Sequence, residues 1–84
     1  MVFIIEIKPK ARKSLDKIPA EYRARIIETL DEIALDPFVG KKLKGEYENQ
    51  YSYRVWPYRI IYEIRKNELV VLVIRVGHRQ GVYK

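Results

Sequence analysis

Tyr51-Ser52-Tyr53-Arg54-Val55-Trp56-Pro57-Tyr58-Arg59-Ile60-Ile61-Tyr62-Glu63-Ile64 is the stretch on which the fold turns. On either side of Trp56-Pro57 the residues alternate. Tyr51, Tyr53 and Val55 share one face of a first strand, with Ser52 and Arg54 on the other. Tyr58, Ile60, Tyr62 and Ile64 share one face of a second strand, with Arg59, Ile61, Glu63 and Arg65 opposite. Trp56-Pro57 interrupts the pattern and makes the turn. Whether that loop holds two residues or four, the symmetry of the hairpin sets Arg54 across from Arg59. Like charges directly across a strand pair repel, so the pair is either screened by solvent or kept to hold an anion. Arginines interleaved with aromatic rings suit phosphate clamping combined with base stacking. By parity Tyr53, Tyr58 and Tyr62 belong to the core, which leaves Trp56, at the turn, as the stacking candidate.

Beyond the hairpin, Lys66-Asn67-Glu68 is a turn, and Leu69 to Val76 is apolar enough for a strand covered on both sides. Gly77 is expected to end it, with His78 to Lys84 as a tail. Before the hairpin, Lys41 to Gln50 reads as a polar connection carrying a basic cluster, Lys41, Lys42 and Lys44. Such a loop either contacts a nucleic-acid backbone or is simply solvated. Further upstream, Tyr22, Ile26, Ile27, Leu30, Ile33 and Ala34 form the apolar stripe of a helix that Asp36-Pro37 stops. Glu21 and Arg25, one turn apart on its polar side, can pair. Pro19 separates this helix from a shorter one in which Ala11, Leu15 and Ile18 recur after Pro9. Val2 to Ile7 is a β-branched strand. The expected fold is α+β, one domain over residues 1–84. It consists of an N-terminal strand, a helical hairpin and a three-stranded antiparallel meander, forming one sheet packed by the helices.

At 84 residues there is room for one small core and no second domain. Residues 1–37 are electrically neutral, with seven basic and seven acidic side chains. Residues 38–84 hold ten basic side chains against Glu46, Glu48, Glu63 and Glu68, so the whole net charge of +6 lies in this half. A one-sided positive charge is the electrostatic footprint of a polyanion binder. The chain has no cysteine and one histidine, which excludes disulfides, thiol nucleophiles and Cys- or His-based metal sites; no metal and no cofactor is expected. The glycines match neither a P-loop nor a dinucleotide fingerprint, and only Ser14, Ser52 and His78 offer material for a serine nucleophile. The longest apolar run, Leu69 to Ile74, is too short to span a bilayer. Val2-Phe3-Ile4-Ile5 is followed at once by Glu6 and Lys8, unlike a secretory leader. A cytoplasmic protein without a membrane partner is expected.

Three segments together resemble the RelE/ParE toxin superfamily: Leu43-Lys44-Gly45; Tyr51 to Ile64 as quoted; and Arg75-Val76-Gly77-His78-Arg79 with Val82-Tyr83. The order strand, helical hairpin, three strands is also that family's. The resemblance implies the toxin of a type II toxin–antitoxin pair. RelE-like members are metal-independent endoribonucleases that cut messenger RNA on the ribosome, whereas ParE-like members poison DNA gyrase. Carried over by position, the implied catalytic residues are Arg54, Arg59, Arg79 and Tyr83, all present. The contacts to RNA or ribosome expected from the residues themselves are Lys41, Lys42, Lys44, Trp56 and His78. The sequence departs from the pattern at Ser52, where some members carry a further lysine, and at Trp56-Pro57, where many have Gly-Asp.

The implied reaction is attack of a ribose 2′-OH on the adjacent phosphorus. Arg59 and Arg79 would stabilise the developing charge and Arg54 would position the backbone. Tyr83 would move the proton, with His78 the competitor for that role. The implied partners are an acidic cognate antitoxin, the ribosome and mRNA. A gyrase-directed or otherwise non-nucleolytic toxin of the same fold, or a plain RNA-binding module, is the alternative.

Overall fold

The computed structural model describes residues 2–45 and 49–78. Strand β1 (Ile4–Ile7) leads into helix α1 (Pro9–Asp16), then α2 (Ala20–Leu35) and a 3-10 turn at Pro37–Val39. Strands β2 (Lys41–Lys42), β3 (Gln50–Val55), β4 (Tyr58–Arg65) and β5 (Val70–His78) follow. They form one five-stranded sheet in the order β1-β5-β4-β3-β2. β1 runs parallel to β5, and the other pairings are antiparallel. The α+β class expected from the sequence is therefore the one observed, with a mixed sheet.

The helices form where their breakers allow. Pro9 opens α1, where a missing N–H costs nothing, and Pro19 occupies the N-cap of α2. Ala11, Leu15 and Ile18 point into the core together with Ile26, Leu30 and Ile33 of α2. Against them pack Val55, Ile60, Tyr62, Val71, Val73 and Val76 from one face of the sheet. Ile27 does not share in this: it is 46% exposed, one position round from the buried stripe. Arg25 lies over the ring of Tyr22, 5.9 Å from its centroid, rather than against Glu21. Asp36 ends α2 and accepts a hydrogen bond from the Phe38 N–H (3.2 Å), which shapes the 3-10 turn.

Two expectations for the sheet are corrected. Lys41-Lys42 is not part of a loop but a two-residue edge strand, with Lys41 opposite Ser52 and Lys42 opposite Tyr51. Gly77 does not end β5; it continues the ladder opposite Arg59, and His78 closes it opposite Tyr58. β5 also carries a bulge. Tyr62 pairs with Val73 and Ile61 with Arg75, so Ile74 is the extra residue. The bulge shifts the alternation by one, putting Arg75 on the face of Ile61 and returning Val76 to the helix side.

Candidate functional site

The Trp56-Pro57 loop has two residues, joined by a cis peptide bond. Val55 pairs with Tyr58, and Arg54 stands directly opposite Arg59. Their alternation places both on the sheet face that the helices leave uncovered. Arg54 is exposed, whereas Arg59 is half-buried with its Nε out of solvent. At the edge of the sheet, beyond β3, the short β2 brings Lys41 to the same face, across from Ser52. Arg54, Arg59, Lys41, Ser52 and Tyr53, with Val39 and Gly40, line a cleft of about 370 Å³. Of the basic residues read from the sequence, Arg54, Arg59 and Lys41 are the three this cleft brings together. A concentration of guanidinium and ammonium groups in one concavity favours a multiply charged anion, because each group forms charge-assisted hydrogen bonds to it.

The remaining candidates lie elsewhere. Lys42 points to the other side of β2 and lines a cavity of about 450 Å³ with Phe38, Tyr51, Glu63 and Lys66. Lys44 lines another near Leu43, Gly45 and Asn49. Trp56 is 53% exposed at the hairpin tip. His78 is on the helix side, edge-on to Tyr58 at 6.1 Å, and Tyr58 in turn meets Tyr22 of α2 at 5.6 Å. His78 shares a cleft of about 280 Å³ with Ser14 and Lys10. The Ser14 hydroxyl there donates to the Lys10 carbonyl (3.2 Å), the back-bond usual for a helical serine. Ser52 and His78 are on opposite faces of the sheet, so these two do not meet. Arg79 and Tyr83, the other two implied catalytic residues, lie outside the described residues. Among the described residues no group of three or more His, Asp or Glu side chains could hold a metal ion. No described helix is long and apolar enough to cross a membrane.

Sequence reading set Tyr62 in the core but missed what its hydroxyl does. The side chain is fully buried, its ring stacked on Tyr51 at 5.7 Å. The hydroxyl donates to the Pro37 carbonyl (2.7 Å) and accepts from the Gly40 N–H (3.2 Å). Burial pushes its pKa up to about 12, although the Gly40 bond acts in the opposite direction. Gly40 is a glycine because of space. A β-carbon there would collide with the Tyr62 hydroxyl and lie 3.1 Å from the Ser52 carbonyl oxygen.

A family model for the ParE toxin of the type II toxin–antitoxin system parDE matches residues 5–83. The chain belongs to this family. Within the RelE/ParE superfamily its similarities extend to RelE-type toxins. Toxin RelG of Mycobacterium tuberculosis is 30% identical over 86 residues, which span 100% of this chain and 99% of the relative. The crystal structure of the M. tuberculosis toxin–antitoxin complex RelBE2 contains a chain that superposes with a TM-score of 0.87 at 30% identity. That match covers 94% of this chain and 100% of the other. The isolated Escherichia coli RelE toxin has a TM-score of 0.82 at 25% identity, covering 90% of this chain and 83% of the other. This RelE/ParE toxin therefore shares their fold over 90–94% of its own length.

Proposed function

We propose that this chain is a ribosome-dependent endoribonuclease that cleaves mRNA in the cytoplasm and is held in check by an acidic cognate antitoxin. The observation that carries the reading is the cross-strand pair Arg54–Arg59, two like charges set face to face in a cleft. Like charges directly across a strand pair repel, and an anion held between them makes charge-assisted bonds to both. In the proposed reaction the ribose 2′-oxygen attacks the adjacent phosphorus and the bond to the 5′-oxygen breaks. The proton leaves the 2′-OH and one is delivered to the departing oxygen, giving a 2′,3′-cyclic phosphate and a 5′-OH. Arg59, rigid in mid-sheet, neutralises the charge growing on the phosphoryl oxygens, and the exposed Arg54 holds the backbone. Arg79 adds charge, and Tyr83 is the proton-transfer group of the reading. The position of His78 behind the sheet, against Tyr58, supports giving it no part in that transfer. The RelE-type names of the relatives and the antitoxin in the M. tuberculosis complex support the toxin–antitoxin reading.

The test is single-turnover cleavage on programmed ribosomes with end-group analysis of the products. Arg59→Ala should slow cleavage by about 10²–10³-fold, whereas Lys42→Ala, on the other side of β2, should mainly weaken binding. Products with 5′-phosphate and 3′-OH ends would overturn the mechanism. Intact transcripts together with inhibited gyrase supercoiling would establish the ParE-type alternative instead.

A further inference from the structure

We propose that Lys41 is a further cation of the phosphate site, beside Arg54 and Arg59, and that Tyr62 is the positioning residue that seats it. The inference rests on reading the Arg54–Arg59 cleft as a phosphate site. Lys41 and Lys42 are adjacent and chemically identical, yet β2 sends them to opposite sides. Lys41 is opposite Ser52 and lines the arginine cleft, while Lys42 is opposite Tyr51 and lines a different cavity. Directly opposed residues on one face have β-carbons about 5 Å apart. Lys41 and Ser52 are thus directly opposed on the face that carries Arg54 and Arg59, and all four line one cleft. A two-residue edge strand cannot hold that position alone. It is fastened at one end by the Leu43 N–H, which donates to the Gln50 carbonyl (2.9 Å). At the other end the Tyr62 hydroxyl ties Pro37 and Gly40 together from beneath the sheet. Gly40 immediately precedes Lys41 and is in close approach to the Ser52 carbonyl. The hydroxyl thus sets where β2 begins, and with it which lysine enters the cleft.

The experiment titrates the full chain with inorganic phosphate, followed by amide NMR shifts in the cleft. Lys41→Ala should weaken phosphate binding by about twofold to fivefold; Lys41→Arg should restore it, and Lys42→Ala should cost less than Lys41→Ala. Tyr62→Phe keeps the ring and its stacking on Tyr51 but removes the tie. It should weaken phosphate binding in the native background and have no further effect in the Lys41→Ala background. A purely structural tyrosine would lower affinity equally in both. By reciprocity, bound phosphate should slow exchange of the Gly40 amide in the native chain and not in Lys41→Ala, which tests the link without altering Tyr62. Equal losses from Lys41→Ala and Lys42→Ala would overturn the role of Lys41. An undiminished Tyr62→Phe effect without Lys41 would overturn that of Tyr62. Absence of phosphate binding to the native chain would overturn both. Phosphate bound as expected by a protein that cuts no RNA would instead refute the nuclease reading and leave this one standing.

Discussion

If Arg54 and Arg59 oppose each other to receive an anion, removing one charge should make the empty protein more stable while disabling its site. Arg54→Met is the cleanest version, because it keeps an unbranched apolar stem at an exposed position. The charges sit at the ends of flexible stems that can splay, so the roughly 5 Å between directly opposed β-carbons sets an upper limit: two unit charges there repel by about 0.8 kcal/mol in bulk water and about 3 kcal/mol at an effective dielectric constant of 20. The exposure of Arg54 places the pair near the lower figure, so the expected gain is about 0.5–1 kcal/mol. For a chain of this length that raises the Tm by roughly 3–6 °C. Thermal unfolding followed by circular dichroism measures it at low salt and again near 1 M NaCl, where the screening length of about 3 Å is shorter than the pair. The gain should nearly vanish at high salt. Millimolar phosphate should stabilise the native chain more than the variant and narrow the difference between them. A variant less stable than the native chain at both salt concentrations would refute the reasoning, since Arg54 would then contribute through contacts rather than strain them.

Two further outcomes follow from the Tyr62 clamp. Gly40→Ala drives a methyl group into the Tyr62 hydroxyl and should cost about 1–3 kcal/mol in denaturant unfolding. Gly45→Ala meets no atom and should cost only the left-handed backbone at φ 69°, about 1 kcal/mol. The raised Tyr62 pKa has a definite sign. The unfolded chain loses this proton near pH 10 and the folded chain only near 12. The stabilisation is therefore complete below about pH 10 and is lost as pH rises through 12. Unfolding midpoints between those values should fall more steeply for the native chain than for Tyr62→Phe; parallel curves would contradict the assignment.

The hairpin and its arginine pair were legible because period-two alternation on both sides of one break leaves a single symmetric solution. Strand β2 was not. Two lysines carry no alternation, and a strand that short is defined only by the β3 backbone it meets. Without it, Lys41 and Lys42 could not be told apart, so the third basic group of the cleft was hidden among loop lysines. The bulge at Ile74 was equally invisible, because an unbroken apolar run from Leu69 has no phase for an inserted residue to disturb. Gly77 looked like a strand end for the usual reason, but its place opposite the bulky Arg59 suits a residue without a side chain. Parity put Tyr62 in the core correctly. Its bond to Pro37, 25 residues away, is a tertiary contact that no local pattern signals.

The parallel pairing of β1 with β5 has a consequence for how the molecule is made. β1 is the first strand to leave the ribosome and β5 the last of those described, yet β5 supplies the partners for both β1 and β4. The helices can coil early, but their apolar sides meet Val71, Val73 and Val76 only once that strand has been synthesised. The β2–β3–β4 pairings are local and can form beforehand, but β1 has no partner until β5 arrives, and closure of so long a loop is slow. The cleft on β3 and β4 is thus framed on one side by the latest strand to arrive. A nascent chain that lacks β5 therefore has β4 without one of its two neighbours.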